Sequence, residues 1–132
     1  MIFRLATEAD NSGPYSTSCA ALFNPAYNVD DRHPEVWEDG MLKPGQHIRN
    51  EHIFGFTSLR QAKNWWYRPR DLEAWNEAPL NFRLYVYRDE DVAEVIEGKK
   101  QCCFRPKPEA KPMLLPATAI STMVEADILC LM

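Results

Sequence analysis

Apolar and polar positions alternate at the start of the chain. Phe3 and Leu5 fall on one side of residues 2–6, and Ile2, Arg4 and Ala6 on the other, which predicts an opening strand. The same period-two pattern returns at 81–88, where Phe82, Leu84 and Val86 interleave with Arg83, Tyr85 and Tyr87. Between them, Ile53, Phe54 and Phe56 read as a short strand, with Gly55 leaving room for another backbone to approach. The period then changes. Leu59, Ala62, Trp65 and Trp66 recur at helical spacing, while Arg60, Lys63 and Asn64 take the outward side. Ser58 and Gln61 open this helix with the Ser-x-x-Gln pattern of a capping box: the hydroxyl caps the third amide, and the Gln side chain returns to the cap residue's own amide.

The later pattern is more broken. Pro69 interrupts the chain, and Asp71 can cap a second helix over 72–77. Asp89, Glu90 and Asp91 precede 92–97, which reads as one or two helical turns stopped by Gly98. Residues 101–105 read as a late strand. Residues 106–112 are rich in Pro and Lys, and 113–132 are apolar with Pro116 inside, suiting one more strand and a closing helix. Residues 15–50 have no sustained period and many turn formers, so they read as a long binding loop or lid. The expected architecture is α+β: a small mixed, mostly antiparallel sheet with two or three packed helices. The expectation is a single domain over 1–132, with 15–50 as a loop region and 106–132 as a Pro-interrupted C-terminal segment.

Composition narrows the function. The formal charge of −4 argues against bulk electrostatic binding to DNA or RNA. No segment reads as a signal peptide and no apolar run approaches the roughly 20 residues of a membrane span, so the expected location is cytoplasmic, with no membrane partner. Cys19, Cys102, Cys103 and Cys130 have no metal-ligand spacing. Adjacent Cys102 and Cys103 would point to opposite faces of a strand, and all four are expected as small apolar residues. His33, His47 and His52 fit no standard zinc motif, so no metal is expected.

There is no phosphate-binding glycine loop, no Gly-x-Ser-x-Gly elbow and no His-Glu-x-x-His. What remains is an order of elements: a strand with Arg4, a long loop, a strand ending Phe56-Thr57-Ser58 into a helix with Gln61 to Trp65, the strand Arg83 to Tyr87, and a late strand at Gln101. This order resembles small ADP-ribosyltransferase-like domains of the phage-borne and rifampin-modifying kinds. The resemblance covers about residues 1 to 105 and implies NAD as the bound nucleotide. It implies Arg4, Ser58 and Gln101 as the catalytic set, with Arg4 on a phosphate or ribose, Ser58 on the nucleotide-bearing ribose and Gln101 orienting the acceptor. Thr57 would assist at the corner, and Trp65 or Tyr85 would stack on the nicotinamide. The late strand departs from the family: Cys102 and Cys103 follow Gln101 where a Glu pair is expected, and Glu97, the nearest carboxylate, falls on the expected helical turn.

A second reading is a non-enzymatic, phage-type inhibitor of a host or defence protein, in an anti-CRISPR-like or host-takeover role, using the 15–50 loop and exposed aromatics as its contact surface. A third groups Arg60, Lys63, Arg68 and Arg70 with Trp65, Trp66 and Tyr67 as a stacking and phosphate patch for single strands, although the core competes for those aromatics.

Overall fold

The structure is a computed structural model and describes residues 1–14, 39–40 and 51–132. The readings of Cys19, His33, His47 and most of the 15–50 loop fall outside these residues. Among the described residues the chain forms two three-stranded antiparallel sheets and four α-helices. The class is therefore α+β, as the alternating and helical patterns imply, but the single sheet is corrected to two sheets and the helix count to four.

The first sheet is ordered β1 (Ile2–Thr7), β3 (Phe82–Tyr87), β6 (Met113–Pro116). The second is ordered β2 (Ile53–Gly55), β5 (Cys102–Pro106), β4 (Val92–Glu97). One isolated bridge joins their edges: Phe3 and Phe56 exchange both backbone hydrogen bonds at 2.8 Å. Gly55 makes this junction possible. A Cβ there would stand 2.7 Å from the Phe3 carbonyl oxygen and 2.9 Å from the Phe104 ring, closer than real side chains come.

The two faces of β1 enter two cores, as its alternation requires. Phe3 and Leu5 join Phe82, Leu84 and Val86 against the helices, where Trp65, Trp66, Leu72, Trp75, Ile120 and Ile128 complete the larger core. Aromatic rings run through it from Phe56 to Trp65, Trp66, Trp75 and Phe82, with successive centroids 5.7 to 6.3 Å apart. On the opposite face, Ile2, Ala6, Tyr85 and Tyr87 pack with Cys102 and Phe104, so the second sheet closes over the first. Tyr87 meets Phe104 edge-on at 5.0 Å.

Helix α1 (Leu59–Trp65) begins at Ser58, whose side chain accepts the Gln61 amide at 3.2 Å. The return half of the expected box is displaced by one residue. The Gln61 Oε1 accepts both the amide and the hydroxyl of Thr57 at 3.0 Å, while the Glu125 carboxylate accepts the Leu59 amide at 2.9 Å. Helix α2 (Pro69–Asn76) starts earlier than expected: Pro69 opens it, because proline suits the first helical position, where an amide would have no acceptor within the helix. Asp71 lies in that first turn, 3.3 Å from Arg68. The expected helix at 92–97 is a strand. Val92, Val95 and Ile96 are β-branched, and β4 pairs with β5 as an exposed edge, so Glu97 lies in a ladder opposite Cys102. The 113–132 segment supplies β6 and two helices, α3 (Ala119–Thr122) and α4 (Glu125–Leu131). Cys102 and Cys103 are buried as expected, whereas Cys130 is exposed on α4.

Candidate functional site

Arg4 sits on β1 opposite Tyr85 and is only 8% exposed. Its guanidinium donates from Nη1 to the Phe54 carbonyl at 2.8 Å, from Nε to the Asn11 Oδ1 at 2.8 Å and from Nη2 to the Asn11 carbonyl at 2.9 Å. Asn11 takes a positive φ of 58°, which an Asn tolerates, and its amide donates to the Tyr87 hydroxyl at 3.1 Å. No carboxylate pairs with Arg4 among the described residues. Among the described residues three of its five N–H donors are engaged, leaving two for another acceptor. Burial pulls the Arg4 guanidinium below its ordinary pKa, and the Tyr87 and Tyr85 phenols oppose that pull. Burial in turn raises both phenols.

Strand β2 lies between Arg4 and the head of β5. Phe56 bridges Phe3 on one side, and Gly55 pairs with Cys102 on the other. By this register Arg4 falls in the row of Gly55 and Cys102, and Gln101 falls one residue along, in the row of Phe3 and Phe56. Cys102, one residue beyond Gln101, packs with Ile2 and Ala6 on the Arg4 face of the sheet. Gln101 itself is buried in the turn before the ladder: its carbonyl accepts the Gly98 amide at 2.8 Å, and its amide donates to Asp39 at 3.0 Å. Thr57 and Ser58 form the corner after β2, both half-buried and both engaged with Gln61. Tyr85 is built into the inter-sheet core: its ring stacks on Tyr87 at 6.4 Å and its hydroxyl donates to the Thr7 carbonyl at 2.6 Å.

A separate pocket of about 550 Å³ opens beside α1 and the β4–β5 turn. Its described lining comprises Gln61, Lys63, Asn64 and Trp65 of the helix, Tyr67 just after it, and Lys99 and Lys100 of the turn. The pocket thus includes Trp65 among the expected binding residues and excludes Arg4, Thr57, Ser58, Tyr85 and Gln101. Two side chains hold the turn. The Gln61 Nε2 donates to the Lys99 carbonyl at 3.2 Å. Asp39, itself 2% exposed, accepts the Lys100 amide at 2.8 and 3.1 Å and the Gln101 amide at 3.0 Å. Sequence reading missed the two turn lysines and Asp39. Lys63 and Lys99 are 36 positions apart, and only the folded turn brings them to one pocket.

His52 is buried, with its Nε2 3.3 Å from the Glu94 carboxylate. Among the described residues no group of three or more His, Cys, Asp or Glu is placed to hold a metal ion, and no helix is long and apolar enough to cross a membrane.

These features define a small α+β domain of two facing antiparallel sheets, with a buried guanidinium between them and a lysine-lined pocket at one end. A family model for the bacteriophage T4 Y00F protein matches residues 1–113, and the chain belongs to that phage protein family. The match ends before α3 and α4. No curated protein and no solved structure matches the chain.

Proposed function

We propose that this phage-family protein is an ADP-ribosyltransferase-like domain that binds NAD or a related nucleotide where the two sheets meet. The observation that supports this reading is Arg4: a buried cation between the sheets, with no carboxylate partner among the described residues and two donors unengaged. Burial strengthens its attraction for an anion by excluding competing water. An arginine fork suits the paired oxygens of a phosphate. Asn11 and the Phe54 carbonyl fix the plane of the guanidinium. In this reading Arg4 holds a phosphate or ribose of NAD, Ser58 and Thr57 fix the nucleotide-bearing ribose at the corner after β2, and Gln101 orients an acceptor from the head of β5. Transfer needs a negative charge to stabilise the developing oxocarbenium ion, and Gln101 supplies none. Binding is therefore the part of the reading that the residues support most directly.

The test is calorimetric titration of the full chain with NAD, beside Arg4→Lys and Gln101→Ala variants whose folding is checked by circular dichroism. Saturable binding, weakened at least tenfold when the fork becomes a point charge, is the expected result. Absence of heat at millimolar NAD, or equal binding by a folded Arg4→Lys variant, overturns it.

A further inference from the structure

We infer that the pocket beside α1 is a nucleotide site in its own right: Lys63 and Lys99 receive a phosphate, and Tyr67 offers its ring to a base. The inference stands apart from the NAD reading, because the pocket excludes Arg4, Thr57, Ser58 and Gln101.

Its size comes first. About 550 Å³ falls within the roughly 300 to 1,000 Å³ of small-ligand pockets. Its charge is the sharper observation. In a chain of net charge −4, the described residues of the lining include three lysines and no carboxylate. Neither Lys63 nor Lys99 is paired with a carboxylate among the described residues. The nearest buried acid, Asp39, directs its carboxylate at the backbone amides of Lys100 and Gln101. Like charges placed together repel, so Lys63 and Lys99 at one pocket are relieved by a bound anion.

The lysines also stand on a fixed frame. Lys63 is on helix α1, and the turn with Lys99 and Lys100 is held from both sides by Gln61 and Asp39. A site whose backbone is already ordered loses less entropy when a ligand enters. The aromatic part separates a nucleotide from inorganic phosphate. Tyr67 is 38% exposed at the pocket, whereas Trp65 is 4% exposed and Trp66 lies in the helix-side core. A base can stack on an exposed ring with little regard to its identity, and the Asn64 and Gln61 amides can meet its edge. Arg60 lies three positions before Lys63 on the same side of α1 and carries the positive charge past the pocket.

The same chemistry fits a free nucleotide or one unit of a single strand, and the experiment separates the two. The full chain is titrated with AMP and with a short oligothymidylate at low and moderate salt, beside a Lys63→Ala/Lys99→Ala double variant, Tyr67→Ala and Arg4→Lys. Loss of at least tenfold in affinity in the double variant, a loss of at least fivefold in Tyr67→Ala and no change in Arg4→Lys are expected. Salt should weaken binding to the oligothymidylate more steeply if a strand continues over Arg60; equal affinity for AMP identifies a mononucleotide site. If neither probe binds, or if the lysine and tyrosine variants bind as the parent does, the inference is overturned. If Arg4→Lys alone loses binding, the ligand belongs between the sheets: the pocket assignment fails and the NAD reading stands.

Discussion

The carboxylate of Asp39 holds Lys100 by its backbone, with both oxygens within 3.1 Å of one amide. A third contact reaches the Gln101 amide, and the Asp39 carbonyl accepts the Lys99 amide at 3.0 Å. A carboxylate buried this deeply is tolerated because the amides replace its hydration. Removing it leaves the amides of Lys100 and Gln101 without their acceptor. Asp39→Ala should therefore cost about 3 kcal/mol in stability, measured by urea unfolding. Asp39→Asn, which keeps one acceptor oxygen, should cost less. Equal stability of parent and Asp39→Ala would show that this contact does not hold the turn.

Gly55 is the point at which the two sheets meet. An added methyl would meet the Phe3 carbonyl and the Phe104 ring, and neither can yield easily: one is backbone, the other is fully buried. Gly55→Ala should lower stability by about 3 kcal/mol, the upper part of the usual range for overpacking. The thermal midpoint should fall accordingly. Because the strain acts at the Phe3–Phe56 bridge, amide exchange at Phe3 and Phe56 should accelerate first, and unchanged protection there would refute the account.

The first turn of α1 is capped from two directions. Ser58 serves the Gln61 amide, and Glu125, 66 positions later, serves the Leu59 amide. Ser58→Ala should cost about 1 kcal/mol. Glu125→Gln keeps an acceptor but loses the charge beside the helix N-terminus, and should cost roughly 0.5 kcal/mol. Truncating the chain after Met123 removes the same contact together with buried Ile128, so it should cost more than either. Chemical denaturation of the three variants checks the order.

These contacts show where the sequence was readable. The alternation in 2–6 and 82–87 assigned residues to the two cores correctly, because a strand packed on both faces keeps period two. Ser58 was legible as a cap because capping is local. The segment 92–97 was misread because six residues with two glutamates and three β-branched positions suit a helical turn as well as an edge strand; pairing with β5 decides it. The Gln61 contact moved to Thr57 because Thr57 presents an amide and a hydroxyl together. Of the candidate site, the interest of Arg4 and Trp65 was visible in their chemistry, but nothing local reveals that Asp39 docks on the turn at 98–101 or that Lys63 and Lys99 share a pocket.

The cysteines give a prediction that joins reactivity to pH. Burial pushes the Cys102 thiol from its ordinary 9.0 up to about 12, with Cys103 and Glu97 adding to the shift. Burial also raises Cys103. Only the thiolate reacts readily with alkylating agents. In the folded protein at pH 8, iodoacetamide should modify the exposed Cys130 and spare Cys102 and Cys103, as read by peptide mass mapping. The same shift has a sign for stability. Between about pH 9 and pH 12 the unfolded chain releases the Cys102 proton while the folded chain keeps it, so rising pH favours unfolding. This thiol alone can contribute up to about 1.4 kcal/mol per pH unit in that window. The raised phenols of Tyr85 and Tyr87 act in the same direction above their ordinary 10.0. Urea midpoints should hold steady from pH 7 to 8.5 and then fall, and Cys102→Ala should flatten the first part of that fall. Alkylation of Cys102 at the rate of Cys130 in the folded state would remove the basis of both expectations.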